Sequence, residues 1–264
     1  RRVAATKIEG DYQFLRNGLT VDPDLPPLSE LNGRLQFTAS SVSMKDARAV
    51  LLGSPLLVNA ATRGDGAVAI AAEGTLNIAN LRRSVDHAVL EHLSGSAPWR
   101  GSVVVRKRMA DVQIESSLRG IASSLPEPFN KSAGDALPLR FERASRVETP
   151  RTGAPAAAAF DVVRLSLERA LNAQIVRRHG PGGAVAVERG AIGIGSGEMP
   201  ALPAAGIAVG ANLASVDLDF WRRLAGGGSA PALPIASVSL RAGEVTAFDR
   251  PFNDVVVRAT RQDD

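Results

Sequence analysis

The sequence has no cysteine, one tyrosine, two tryptophans, three histidines and only four lysines, Lys7, Lys45, Lys107 and Lys131. The missing cysteine excludes a disulfide scaffold, a thiolate zinc site, an iron–sulfur cluster and a cysteine nucleophile, and leaves the compartment open. Nowhere do about 18 apolar residues run together, so the chain carries no candidate membrane-spanning helix. Its opening, Arg1-Arg2-Val3-Ala4-Ala5-Thr6, has neither an initiator methionine nor a signal-peptide core, and reads as a piece excised from a longer chain. On that reading any anchor or export signal lies outside these residues. What is present is ordinary for a folded chain: 264 residues, 45% hydrophobic and 22% charged, with Lys+Arg 31 against Asp+Glu 27. That length supports one large or two modest domains.

Period-two alternation dominates, as in Arg34-Leu35-Gln36-Phe37-Thr38, Asp111-Val112-Gln113-Ile114-Glu115 and Ser237-Val238-Ser239-Leu240-Arg241. Turn residues at Arg16-Asn17-Gly18, Gly64-Asp65-Gly66, Met109-Ala110-Asp111, Gly180-Pro181-Gly182-Gly183 and Asp249-Arg250-Pro251 separate extended runs. Connections this short predict antiparallel neighbours, hence a long meander. Two short helices interrupt it. Leu81, Val85, Ala88, Val89 and Leu93 share a helical face over Asn80 to Leu93, and Asp217 caps Leu218 to Ala225, which carries Phe220 and Trp221 to plug an end of the core. Phe160 to Arg178 fits either helix or strand, and strand is favoured because turn residues and further strands follow at once.

Glu148 to Pro155, followed by four alanines, reads as a linker or long loop. It divides the chain into a unit over 1–148 with a helix near 80–93, a linker over 149–159, and a unit over 160–264 with a short helix near 217–225. Gly74 to Arg83 and Gly210 to Arg223 both read as a strand entering a short basic helix, as two diverged repeats would. The expected fold class is therefore all-β with a few short helices: an extended antiparallel meander, curled into an apolar groove, with two diverged repeat units.

Catalytic signatures are scarce. There is no P-loop, and Gly190, Gly193, Gly195 and Gly197 fit neither a nucleophile elbow nor a dinucleotide fingerprint. His87 and His92 are five apart and cannot form an i, i+4 metal pair. His87 beside Asp86 is better read as a solvated pair than as a general base, and no paired carboxylates stand in an apolar setting. The expectation is a protein with no catalytic residue, metal or cofactor. Arg63-Gly64-Asp65 reads as a hairpin tip. The run Arg106-Lys107-Arg108 behind Trp99-Arg100 lacks aromatic residues for base stacking and fits a solvated sheet face, so no nucleic-acid partner is expected.

A meander with so few helices must still cover its apolar face. The residues at inward parity are Leu35, Phe37, Val68, Ile70, Val103, Val105, Val112, Ile114, Leu118, Ile192, Ile194, Ile207, Val209, Val238, Leu240, Val255 and Val257, aliphatic and nearly free of charge. Periodicity alone fits these to the sealed core of a β-sandwich better than to an open groove. An exposed apolar face of several hundred Å² (~300–600 Å²) would instead mark a binding surface.

Several ordered segments resemble a known family. They are Gly10-Asp11-Tyr12-Gln13-Phe14, Asp24 to Phe37 (DLPPLSELNGRLQF), Ala49-Val50-Leu51-Leu52-Gly53, Trp99-Arg100-Gly101, Leu118 to Phe129 (LRGIASSLPEPF), Pro138-Leu139, Leu240 to Thr246 (LRAGEVT) and Phe252-Asn253-Asp254-Val255. In their order these resemble the YhdP family of AsmA-like proteins. The resemblance implies a Gram-negative envelope protein held in the inner membrane by a helix outside this chain and projecting into the periplasm. It also implies a bridge that carries phospholipid, or another acyl-chain lipid, toward the outer membrane in a β-groove. Partners would be the rest of the parent chain on either side; two isolated fragments could also pair groove to groove. The family supplies no catalytic residues, so the groove residues above come from alternation alone. A closed β-sandwich acting as an envelope scaffold is the alternative, and a hydrolase with an unrecognised site is a third reading.

Overall fold

The computed structural model describes residues 8–22, 24–106, 109–147, 159–180, 183–196, 198–226 and 233–261. Alternating segments become strands: β1 Glu9–Leu19, β2 Leu28–Thr38, β3 Val42–Leu51, β4 Ser54–Thr62, β5 Val68–Asn77, β6 Leu93–Arg106, β7 Met109–Ser116 and β8 Ile121–Ser123. The second half adds β9 Leu139–Val147, β10 Ala159–Leu167, β11 Leu171–His179, β12 Val185–Gly195, β13 Gly206–Asp217, β14 Ile235–Ala247 and β15 Arg250–Thr260. Fourteen of them form one sheet in chain order, and β8 stands aside, pairing with the start of β6. Phe160 to Arg178 is the β10–β11 hairpin, as favoured. The linker was expected over 149–159; of these, 149–158 lie outside the described residues, while Ala159 opens β10, which pairs directly with β9.

The meander is not wholly antiparallel. β13 pairs in parallel with both β12 and β14. The connection over 196–205, about ten residues at ~3.3 Å each, is long enough to run back along the seven-residue register shared by β12 and β13. It crosses on the outer face: a Cβ at Gly193 would lie 3.1 Å from Met199 Cα, and one at Gly210 would lie 3.2 Å from the Pro200 ring. Ala191 and Ala208, paired on that same face, are buried. The return from β13 to β14 passes through helix α2, Leu218–Ala225.

The first half bends by a different device. Arg16-Asn17-Gly18, expected as a turn, lies inside β1, where Arg16 has φ 55° and the register slips between Phe14 and Asn17. Glu30 (φ 50°) and Asp46 (φ 51°) mark similar slips in β2 and β3. Each bulge bends its strand and leaves backbone groups unpaired. Asparagines supply the missing partners: Asn17 Oδ1 accepts from Leu15 N–H (2.7 Å), Asn32 Oδ1 from Arg16 N–H (3.1 Å) and Asn59 Oδ1 from Asp46 N–H (2.9 Å). Met109 and Ala110 are likewise strand rather than turn, since Met109 opens β7 opposite Arg106. Residues 107 and 108, and with them most of the basic run, lie outside the described residues.

The helix expected over Asn80 to Leu93 is two pieces, α1 at Ile78–Ser84 and a 3-10 turn at Ala88–His92. Val85 is extended and closes the first; His87 Nδ1 accepts from Val89 N–H (3.2 Å) and starts the second. A capping side chain in mid-segment competes with helix continuation. The strand-to-helix junctions after β5 and β13 share one cap: Asn77 Oδ1 accepts from Asn80 N–H (3.1 Å), and Asp217 Oδ1 from Phe220 N–H (2.7 Å).

Candidate functional site

Residues directly opposite across a ladder share a face, so register decides which side chains lie together. Val112 pairs with Val103, and the row continues through Ile70, Ala60, Met44 and Leu35 to Tyr12. One row along, Ile114 leads through Phe141, Leu165, Ala173, Ile192 and Val209 to Val238. Extended by parity, sixteen of the seventeen inward residues fall on one face, here called the inner face. Leu118 does not: it follows β7 with φ 50° and packs with Ile78, Ala97 and Ile121 in a cluster at one end of the sheet.

Exposure varies along that face. Leu31 and Val58, at 0% and 1% exposed, centre a cluster with Met44, Ala47, Ala49 and Leu56 at the β1–β4 end. Val112 and Ile207 are also buried, while Phe37 and Val257 are exposed and the other strand positions among the sixteen are half-buried. The opposite face is polar. A hollow of about 410 Å³ there is lined by Asn59, Glu73, Arg100, Ser102, Gln113 and Glu115, with an Arg100–Glu115 ion pair at 2.7 Å.

The inner face is not free of charge. Arg143 and Asp161 occupy it at the parity of Phe141 and Val163, and both are buried (5% and 1% exposed), with Arg177 opposite Asp161. The connection between β1 and β2 crosses to meet them. Asp22 takes Arg143 through both terminal nitrogens (2.9 and 2.6 Å), and Asp24 Oδ2 accepts from Arg143 (3.3 Å) and Arg177 (3.0 Å). Asp161 accepts from Arg177 Nε (2.8 Å) and Nη2 (2.6 Å) and lies 3.0 Å from His179 Nε2. Burial opposes ionisation at Asp161, but the bonds and charges of Arg177 and His179 outweigh it and hold the carboxyl below its ordinary range. Asp22 is lowered in the same way, burial being overcome by Arg143. β2 and β9 are six strand steps apart, about 29 Å along a flat sheet at ~4.8 Å per strand, so this bridge requires a strongly curled sheet.

A second bridge closes one end. The His92 ring lies 5.0 Å from Phe220, and Phe129 lies 5.8 Å from Trp221, so α2 after β13 meets the turn before β6. Phe220 and Trp221 thus sit at an end of the sheet, as their placement on the short helix suggested. Sequence reasoning missed the charged bridge. Its wall half was visible as charge at aliphatic parity, in Arg143 two residues from Phe141 and Asp161 two from Val163; its loop half gave no local signal.

The remaining motifs have structural placements. Gly190 sits under Ile175 Cδ1, Gly195 ends β12 with φ 78°, and Asp65 at the β4–β5 tip pairs with Arg106 (3.0 Å). Among the described residues no group of three or more His, Asp or Glu side chains is placed to hold a metal ion, and no helix is long and apolar enough to cross a membrane.

A continuous, curled, mostly antiparallel sheet is the fold class that alternation and short turns led us to expect, and the family model described as YhdP protein matches residues 2–264. The chain belongs to the YhdP family. Among curated proteins it is similar to the intermembrane phospholipid transporter YhdP of Escherichia coli (strain K12), 28% identical over 143 residues. That match covers 51% of this chain and 11% of the relative, so the chain spans a small part of its YhdP relative's length. No solved structure matches it.

Proposed function

We propose that this YhdP-family chain is a section of a bridge that carries phospholipid along its inner face, between the two membranes of a Gram-negative envelope. The single observation that carries this reading is the shared register of sixteen apolar positions across β2 to β15 on one face of an unclosed sheet. Fourteen strands at ~4.8 Å spacing make a path about 60 Å long. Acyl chains lie along it, each sheltered methylene gaining about 0.8 kcal/mol, while headgroups stay at the wet margin. Transfer is passive and uses no catalytic residue in this segment. β1 and β15 have no further strand partner among the described residues, which suits a sheet continued by the parent chain on both sides. The section lies in the periplasm, with the anchor in a part of the parent beyond these residues.

The test is native mass spectrometry of the purified chain with organic extraction of co-purifying material. Phospholipid should be bound, and should be lost when half-buried Val103, Ile114 and Val238 become aspartate together while circular dichroism retains the β signature. A lipid-free chain that also refuses labelled phospholipid would overturn the reading in favour of a sealed scaffold.

A further inference from the structure

Resting on the lipid-path reading, we infer that Arg143 and Arg177 form a phosphodiester-recognition site on the inner face, and that Asp22 and Asp24 occupy it in this structure as carboxylate stand-ins. Four observations carry this. Arg143 is nineteen-twentieths buried and offers its planar fork to Asp22, the geometry that suits carboxylate and phosphate alike. Its Nε–H is buried with no hydrogen-bond partner. An orphaned buried donor is costly, and the two non-bridging oxygens of a phosphodiester, set on a tetrahedral phosphorus, present lone pairs in directions that the planar carboxylate does not. Third, two guanidinium groups are shared among three carboxylates, Asp22, Asp24 and Asp161. Exchanging both loop carboxylates for one singly charged phosphodiester leaves two anions, that group and Asp161, against the same two guanidinium groups. Fourth, the acidic pair sits on a connection between strands, whereas both arginines are fixed in the sheet, so the loop is the part that can leave.

The site lies on β9 to β11, between the aliphatic stretches of β2–β7 and β12–β15. A lipid moving along the face meets it midway. Its phosphate displaces Asp22 and Asp24, and the connection that crosses the path lifts as it does so. Closing and opening are then set by competition for one pair of arginines.

Because the chain lacks cysteine, spin labels can be placed cleanly at Pro27→Cys on the connection and Arg164→Cys on β10, and their separation read with three probes. Dihexanoylphosphatidylglycerol should lengthen it; dihexanoylglycerol, with the same tails and no phosphate, should not. Asp22→Asn with Asp24→Asn, isosteric and checked by thermal melting, should tighten the phospholipid about tenfold and leave the diacylglycerol unchanged. Arg143→Lys keeps the charge, loses the fork and should abolish the preference. Label separation by inorganic phosphate alone supports the site but makes free phosphate its source and counts against the lipid path. Equal binding of both lipids with fixed labels overturns the inference and leaves the lipid path standing. If the paired asparagine variant strengthens both lipids alike, the connection is a plain lid and phosphate recognition fails; if no probe binds or moves the labels, both readings fall.

Discussion

β1 to β7, the hairpin half, pair antiparallel throughout, with α1 and the 3-10 turn inserted between β5 and β6, and take their curvature from bulges at Arg16, Glu30 and Asp46, whereas β12, β13 and β14 run parallel and return their chain outside the sheet. The hairpin half spends no residues on crossovers but leaves unpaired amides, which Asn17, Asn32 and Asn59 satisfy. In the parallel half the first crossover lies flat on the outer face over Gly193 and Gly210, so Ile192, Ile194 and Val209 stay clear of it. The lesson is that curvature and access to one face are separable demands: asparagine-backed bulges meet the first, and glycine pairs beneath a strap meet the second.

The sharpest test asks whether the halves fold together. Leu31 and Ile207 are each fully buried, one in each half. Truncating either to alanine should cost about 3 kcal/mol. If the sheet is one cooperative unit, urea melts followed separately through Trp99 and Trp221, each isolated by a Trp→Phe change at the other, will shift together. A shift confined to the mutated half would establish two independent units.

Acid comes next. Asp22 and Asp161 have lowered folded-state pKa values, so their contribution is fully present above the unfolded carboxylate range and is lost as pH falls through the lower folded values. The urea midpoint should fall as the pH drops below about 4, the unfolded carboxylate range, and Asp161→Asn should flatten that slope. An unchanged slope would mean that the bridge contributes nothing to stability.

Gly193→Val should lift the outer strap from Met199 and cost about 2 kcal/mol, as overpacking does. Its counterpart in the hairpin half, Asn59→Ala, should cost about 1 kcal/mol through the orphaned Asp46 amide. The smallest effects belong to the shared junction. Asn77→Ala and Asp217→Ala should each cost about 1 kcal/mol or less, measured as the same shift in melting midpoint. Unequal shifts would show that one cap carries tertiary load.

Sequence by itself determined most of the strands, though not their continuation through Arg16 to Gly18 and Met109 to Asp111, together with the face that their apolar residues share, the capped helix at Asp217 and the family, because parity, capping chemistry and motif order are local properties. Asn17, Asn32 and Asn59 were legible as residues but not as bulge partners, since a bulge depends on the strand opposite. Only the tertiary structure decided that β12 to β14 are parallel, because a ten-residue connection permits either direction until a face is found for it to cross. It alone brought Asp22 and Asp24 to Arg143 and Arg177, more than a hundred residues away. Charge at aliphatic parity announces a buried partner, but which loop supplies that partner depends on how far the whole sheet curls.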